Sequence, residues 1–201
     1  MIEIDKHKIY QSHNYQFKNF IMMNDDEKRM VLKWRNDDSV RKWMYSAKQA
    51  TEKEHFNYIN TLEGRNDRWY WIVYREDLPV GVLVLSRQNS EKEMYEHGIY
   101  MNPQLLGEGF GLFKEVTYML FYVLGIPQLC GSVQSNNKDA YYLDLFLGVK
   151  FDGKKIIPQD GIDVEYLLCP VYTKEDFEPH KDATLGEYVR FVKKIKIDNK
   201  E

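Results

Sequence analysis

Three glycines follow the segment 95–103 at a spacing that suits the binding of an anion. They stand in the run Gly107-Glu108-Gly109-Phe110-Gly111, and an amphipathic helical pattern begins directly behind them. Glycine tolerates positive φ and leaves room for a ligand against the main chain, so consecutive N–H groups can point at one phosphate. The helix adds unpaired N–H donors and the positive end of its dipole. The order strand, glycine loop, helix therefore predicts a pyrophosphate site.

The residues around the glycines distinguish between the classes of protein that bind phosphate in this way. A nucleoside-triphosphatase loop ends in Gly-Lys-Ser/Thr, whereas this loop ends in Gly111-Leu112-Phe113. A dinucleotide-binding loop needs a third glycine where Leu112 stands, within a repeating βαβ array that this chain lacks. With Leu106, Gly109 and Gly111 in its first, fourth and sixth positions, the loop resembles Gln/Arg-x-x-Gly-x-Gly/Ala, the acyl-coenzyme A loop of the GNAT acetyltransferases. The plainer alternative is a glycine turn that only joins a strand to a helix.

Length and composition narrow the class of protein further. The chain has 201 residues and a net charge of −3, with 28 basic and 31 acidic residues well mixed, which suits one domain and offers no basic field for nucleic acid. Cys130 and Cys169 lie apart from any His or Cys cluster, so we expect free thiols, no metal and no disulfide. No run approaches the length of a membrane span. We expect a cytoplasmic protein that does not bind a membrane, and the sequence leaves a homodimer open.

The elements that position the loop can be read from caps and periodicity. Capping boxes at residues 24–27 and 51–54 predict two helices, and strands are expected near residues 15–23, 69–74, 80–86 and 93–100. A helix follows the glycines, then a strand at 128–135, a helix with Asn136 as its N-cap, and strands near 149–156 and 164–172. The predicted order is β-α-α-β-β-β-α-β-α-β-β. This corresponds to an α/β (α+β) fold with a mixed, mostly antiparallel sheet of six to seven strands and helices on both faces.

With this order in place, the chain resembles the GNAT superfamily over about residues 15–172, within a single domain of residues 1–201 that ends in a charged tail at 179–201. Spacings in the first half look like those of nucleotide-aminosugar N-acetyltransferases, in particular those that acetylate a UDP-linked 4-amino-4,6-dideoxy sugar in pseudaminic acid biosynthesis. The residues that carry this likeness are Trp34-Arg35-Asn36, Trp43-Met44-Tyr45, Thr51, His55, Ile59, Leu62, Gly98-Ile99-Tyr100, Asn102-Pro103, Asn136-Asn137 and Ala140. The resemblance implies an acyltransferase that uses acetyl-CoA as co-substrate and a small-molecule acceptor.

The resemblance also implies where the coenzyme lies. The strand before the loop splays from its neighbour, and the pantetheine arm enters the gap like an added strand. Main-chain groups of Ile99, Tyr100 and Met101 would pair with the pantetheine amides. The pyrophosphate and its surroundings would be contacted by Leu106, Gly107, Glu108, Gly109, Phe110, Gly111 and Asn136.

Direct attack of an amine on the thioester requires that the amine lose a proton. Glu96 is one candidate base, since strand alternation puts it on the same face as Tyr100. His55 is another, because its ordinary pKa lies near neutrality. Each also has a plain structural interpretation, as a solvated carboxylate or a hydrogen-bonded histidine. His97 points to the opposite face, and we expect it to be structural.

The leaving thiolate needs a proton, and the family's usual tyrosine, four residues after the alanine, is replaced here by Asp144. An ionised aspartate would repel a thiolate. Tyr141 lies one turn earlier on the same helix face, whereas Tyr142 falls away from it. Tyr141 is therefore the candidate acid, with packing of its ring and protonation by water as the alternatives.

The family likeness places Arg35, Trp43, Met44, Tyr45, His55 and Tyr100 along the acceptor. Rings and a methionine suit a nucleotide base and a deoxysugar methyl group. The leading hypothesis is an N-acetyltransferase of a nucleotide-linked amino sugar. The alternatives are a GNAT enzyme that acetylates a protein N-terminus or a small amine such as spermidine, and a non-catalytic module that binds acyl-coenzyme A.

Overall fold

A single mixed sheet of eight strands organises the molecule. The computed structural model describes residues 2–105, 107–159 and 161–198. In chain order the strands are β1 (Tyr10–Ser12), β2 (Tyr15–Asn19), β3 (Arg68–Arg75), β4 (Leu78–Asn89), β5 (Met94–Met101), β6 (Gln128–Gln134), β7 (Lys154–Gln159) and β8 (Ile162–Thr173). They lie side by side in the order β1-β2-β3-β4-β5-β6-β8-β7. All neighbours are antiparallel except β5 and β6, which run parallel.

Helices cover both faces of this sheet. They are α1 (Asp25–Asn36), α2 (Asp38–Arg41), α3 (Glu52–Thr61), α4 (Gly109–Tyr118), α5 (Lys138–Phe146), α6 (Lys174–Phe177) and α7 (Leu185–Asp198). The two predicted capping boxes begin α1 at Asn24 and α3 at Thr51, each with reciprocal bonds to a glutamate three residues on. Helix α4 continues into a π-helical turn over Met119–Val123. Among the described helices none is long and apolar enough to cross a membrane.

Two apolar cores form, one on each face of the sheet. Residues of α1 and α3 such as Val31, Trp34 and Ile59 pack on Ile72 and Val82 from the middle of the sheet. On the opposite face the larger core joins α4 and α5 to the strands, through residues such as Leu112, Val116 and Leu143. Burial of these side chains on both faces is what holds the sheet between two helical layers.

The observed fold agrees with the predicted one and adds to it at the ends. The sheet has eight strands where six to seven were expected, and the added one is Tyr10–Ser12, which pairs with β2 through a tight turn at His13, whose φ is 50°. A three-residue strand leaves too short an alternation to be read from sequence. The strand predicted near 149–156 begins instead at Lys154, and the segment 15–23 ends as a strand at Asn19 and continues as a 3₁₀ turn.

The charged C-terminal segment contains a packed helix. Rings of α7 lie against α4 and α5, with centroid distances of 5.5 Å for Phe110–Tyr188, 5.4 Å for Phe146–Tyr188 and 5.3 Å for Phe146–Phe191. Helix α7 therefore covers the outer surface of the helix that begins at the glycine loop.

Candidate active site

The parallel strands β5 and β6 separate and leave a gap in the sheet. They pair only from Met94↔Gln128 to Glu96↔Cys130. Beyond that point β5 stays paired with β4 as far as Met101, while β6 stays paired with β8 after a bulge between Leu129 and Gly131. The bulge bends β6 away from β5. The edge of β5 that faces β6 therefore has unpaired main-chain groups over residues 97–101.

A cavity of about 920 Å³ occupies this gap and is lined from both faces of the sheet. We call one half the α5 side; it is lined by His97, Phe113, Asn137, Ala140, Asp144, Val149, Phe151, Cys169 and Tyr172. We call the other half the α3 side; it is lined by Arg35, residues 43–46 and 48–50, Glu54, His55, Tyr58, Arg68, Tyr70 and Tyr100. A molecule that occupies the gap can thus meet a second molecule from the opposite face.

The glycine loop presents free main-chain donors at the start of α4. Gly107 has φ +82°, and a Cβ there would meet no atom within 4 Å. Glu108 precedes the helix without capping it through its side chain, which instead bonds Arg75. Among the described residues no group accepts a hydrogen bond from the N–H of Gly109, Phe110 or Gly111. These three donors and the helix dipole form an anion site.

The glycines of the loop are required for different physical reasons. A Cβ on Gly109 would lie 3.2 Å from Met101 Sδ, and a Cβ on Gly111 would lie 2.7 Å from Tyr15 Oη. Gly111 is thus needed for the close packing of α4 on β2 as much as for a ligand. The Phe110 side chain is turned into the core, so only its main chain is available. Leu106, also predicted here, lies outside the described residues.

Glu96 stands at the point where β5 and β6 part, and its carboxylate is held by two donors. Tyr45 Oη donates to Oε1 at 2.9 Å, and Gln88 Nε2 donates to Oε2 at 2.9 Å. Ser132 Oγ lies 2.6 Å from the same tyrosine hydroxyl. Burial raises the pKa of Tyr45 to about 12, so this hydroxyl keeps its proton and remains a donor. The arrangement aims a carboxylate into the gap.

His55 lines the α3 side of the cavity from helix α3. The residue is only 8% exposed, and its Nε2 atom has no hydrogen-bond partner among the described residues. Burial lowers the pKa of His55, so the ring is neutral at neutral pH. A neutral imidazole with a free nitrogen can bind a polar group of a ligand or accept a proton.

Arg35 brings a cation to the same side. Its Nη2 donates to the Ser46 carbonyl at 3.2 Å, whereas its Nη1 is buried and has no partner among the described residues. A buried guanidinium nitrogen without a hydrogen-bond partner destabilises the folded protein unless a ligand oxygen accepts a hydrogen bond from it. We therefore expect an anionic or carbonyl oxygen of a ligand at this position.

The loop that carries Trp43, Met44 and Tyr45 is fixed over the cavity by two glutamines. Gln134 Nε2 donates to the Lys42 carbonyl at 3.1 Å. Gln159 Nε2 donates at 3.2 Å to the Met44 and Tyr45 carbonyls. Gln134, Gln159, Ser132 and Gln88 were not predicted as site residues, because glutamine and serine in strands carry no motif.

Tyr100 also lines the α3 side, where burial raises the pKa of its hydroxyl well above the usual value. It packs with the core of α1 and α3. His97 points to the α5 side, as expected from strand alternation. It lines the cavity there, with its Nδ1 unpaired among the described residues, and burial lowers its pKa to about 4.

Helix α5 departs from the prediction in three residues. It begins at Lys138, so Asn137 and not Asn136 is the N-cap, and Asn136 is exposed and outside the residues that line the cavity. Tyr141 does not line the cavity either, because its ring packs on Phe151 with centroids 5.4 Å apart. Asp144 does line the cavity, and burial raises the pKa of its carboxyl to about 7. At a pKa of about 7 the carboxyl group is protonated in a substantial fraction of molecules near neutral pH.

Comparison with known proteins agrees with this geometry. A family model described as "Acetyltransferase (GNAT) domain" matches residues 21–141, more than half of the chain. "Acetyltransferase PseH" of Campylobacter jejuni is 28% identical over 128 residues, which cover 64% of this chain and 80% of that protein.

Solved structures share the fold. The crystal structure of Campylobacter jejuni N-acetyltransferase PseH in complex with acetyl coenzyme A matches with a TM-score of 0.60 at 21% identity, over 80% of this chain and 99% of that one. A spermidine N-acetyltransferase from Vibrio cholerae in complex with CoA and spermine matches with a TM-score of 0.68 at 15% identity, over 82% of this chain and 98% of that one. The chain belongs to the GNAT acetyltransferase family, as an acyltransferase with acetyl-CoA as its co-substrate.

Proposed function

We propose that this chain transfers the acetyl group of acetyl-CoA to the amine of a nucleotide-linked amino sugar. The observation that carries the proposal is the cavity that crosses the sheet between β5 and β6, with main-chain donors leading to it from one side and a cationic, aromatic wall on the other. Two molecules approaching from opposite faces would meet at the gap, next to Glu96.

The coenzyme fits the α5 side and the glycine loop. The pyrophosphate would accept hydrogen bonds from the N–H groups of Gly109, Phe110 and Gly111, which lack partners among the described residues. The pantetheine arm would pair with the unpaired edge of β5 at Ile99, Tyr100 and Met101, as an added strand does. This path brings the thioester to the point where β5 and β6 part.

The α3 side favours an acceptor with an anionic group and flat or methyl-bearing parts. Arg35 Nη1 and His55 Nε2 are buried and unpaired among the described residues, and both suit phosphate or carbonyl oxygens. Arg68 and Lys48 add positive charge, whereas the Glu54 carboxylate is already bonded by Thr51 and Lys48. This charge pattern disfavours a polyamine, which needs free carboxylates.

Glu96 is the proposed base. In the reaction the amine nitrogen forms a bond to the thioester carbon, the C–S bond breaks, and a proton leaves the nitrogen. The carboxylate of Glu96, oriented by Tyr45 and Gln88, would take this proton at the gap. His55 is the second candidate, since it lines the α3 side, its ring is neutral at neutral pH and its Nε2 has no partner among the described residues.

Release of the coenzyme thiol from acetyl-CoA tests the acceptor class. The assay compares a UDP-linked 4-amino-4,6-dideoxy sugar with spermidine and with a peptide that has a free N-terminus, and calorimetry measures acetyl-CoA binding separately. We expect turnover with the nucleotide sugar only. Faster turnover of spermidine or the peptide would show that the acceptor is that amine and not a nucleotide sugar. Tight coenzyme binding without any turnover would indicate a non-catalytic module.

A further inference from the structure

The α5 side of the cavity contains an acidic side chain that the attack of the amine does not use. We propose that the carboxyl group of Asp144 donates the proton that the sulfur of coenzyme A takes up when the C–S bond breaks. The inference rests on the proposed acetyl transfer. It assigns a role to a residue that, as an ionised group, would oppose the reaction.

Helix α5 aims Asp144 into the cavity. Asn137, Ala140 and Asp144 follow one another at intervals of three and four residues, so they share one helix face, and all three line the α5 side. Tyr141 is close to this face by spacing, but its ring packs on Phe151 and does not line the cavity. The carboxyl group thus stands on the wall along which the thioester arm must pass.

Other acidic hydrogens on the α5 side are already engaged. Tyr172 Oη donates to the Leu147 carbonyl at 2.6 Å, and Cys169 Sγ donates to the Val171 carbonyl at 3.5 Å. No described residue forms a hydrogen bond or ion pair with the Asp144 carboxyl group. Asp144 is therefore the uncommitted acid among the described residues of this side.

The surroundings favour the protonated form of this acid. The titratable groups that face Asp144 are Tyr172 and Cys169 from β8, His97 from β5 and Tyr188 from α7. Burial lowers the pKa of His97 to about 4 and raises that of Cys169 to about 11, so neither is charged at pH 7. None of the described residues that line the α5 side is a cation, and burial raises the pKa of Asp144 to about 7.

The proton balance of the step is complete. The nitrogen forms the amide bond, the electron pair of the C–S bond stays on sulfur, and the proton of the Asp144 carboxyl group goes to sulfur. Coenzyme A leaves as the thiol and Asp144 is left as a carboxylate. The proton from nitrogen goes to the base at the gap, and exchange with water restores both groups.

The test compares Asp144→Asn and Asp144→Glu with wild type, and uses Asp139→Asn as a control because Asp139 is exposed on the same helix. We expect Asp144→Asn to lower kcat about ten- to hundredfold with the Kd for acetyl-CoA unchanged. In wild type kcat falls as pH rises through the pKa of Asp144, and in Asp144→Asn this alkaline limb disappears. Asp144→Glu restores part of the rate and the limb.

Titration of Asp144 in the absence of substrates measures its pKa independently of activity. In NMR of protein labelled with ¹³C in its aspartates, the Asp144 signal, assigned by its loss in Asp144→Asn, titrates near neutrality. In wild type the unfolding midpoint falls relative to Asp144→Asn as pH rises from about 4 to about 7, since the folded state prefers the protonated acid.

Two outcomes would overturn the assignment alone, with the acetyl transfer intact: an Asp144→Asn variant that keeps the wild-type kcat and alkaline limb, or a carboxyl that titrates near its ordinary value. A wild type that binds acetyl-CoA but releases no thiol with any amine would instead overturn the proposed function and this step with it.

Discussion

The two sides of the cavity bind by different means. On the α5 side and at the glycine loop, the groups available to a ligand are mainly main-chain N–H and C=O groups along β5 and at the start of α4. On the α3 side and at the point where β5 and β6 part, they are side chains, above all Arg35, His55 and Glu96, brought together from separate helices and strands. Main-chain recognition follows from the fold and is insensitive to most substitutions. Recognition by side chains is where the choice of acceptor can change.

The largest effect is expected from Gly109→Glu at the glycine loop. Its Cβ would press on Met101 Sδ, and its carboxylate would stand beside the pyrophosphate. We expect the Kd for acetyl-CoA to rise about a hundredfold or more, as measured by calorimetry. Gly64→Glu is the matched control, because a Cβ at Gly64 meets no atom within 4 Å and the residue is exposed. Equal affinity of both variants for acetyl-CoA would show that the glycine loop does not bind the coenzyme.

The next largest effect is expected at the junction of the two sides. Glu96→Gln keeps the hydrogen-bonding shape but removes the base, so kcat falls about a hundredfold while acetyl-CoA binding stays within about threefold. Steady-state kinetics measure both quantities, and Glu91→Gln in the exposed turn before β5 is the control. If Glu96→Gln keeps its rate and His55→Asn loses it, the base is the histidine.

A substitution on the α3 side tests whether acceptor binding and coenzyme binding are independent. Arg35→Gln removes the guanidinium whose Nη1 is unpaired, and the KM for the acceptor should rise about ten- to hundredfold because a charge-assisted hydrogen bond is lost. The Kd for acetyl-CoA should not change. Arg29→Gln, on the exposed face of the same helix, is the control. A parallel loss of coenzyme affinity in Arg35→Gln would show that the two sides are not independent.

The smallest effect concerns the loop over the α3 side. Gln159→Leu removes the donor to the Met44 and Tyr45 carbonyls. Two neutral hydrogen bonds of this kind correspond to a rise of about three- to tenfold in the acceptor KM, with little change in kcat. The exposed Gln11→Leu serves as control in the same kinetic assay. An unchanged KM would mean that the loop keeps its position without these bonds.

The fold could be predicted well because its determinants are local. The capping boxes at Asn24 and Thr51 depend on residues three apart, and the glycine loop depends on five consecutive residues. The predicted elements differ from the observed ones where long-range contacts determine the local structure. The strand at Tyr10–Ser12 exists because it pairs with β2, and the helix start at Lys138 moved the N-cap from Asn136 to Asn137.

The candidate site was predicted only where strand alternation or a motif applied. Glu96 and Tyr100 are correctly placed on one face, and His97 on the other. The raised pKa of Asp144 could not be predicted, since it depends on burial of the carboxyl group by the tertiary structure, which no local pattern encodes. The same holds for the contact of Tyr45 with Glu96, which joins residues 51 positions apart.

The most direct test of the account is a crystal structure of the protein with coenzyme A bound. We expect the pyrophosphate within hydrogen-bond distance of the Gly109, Phe110 and Gly111 amides, the pantetheine arm paired with β5 at residues 99–101, and the sulfur between Glu96 and Asp144. A coenzyme bound elsewhere, or a complex in which β5 and β6 close the gap by pairing beyond Glu96, would contradict it.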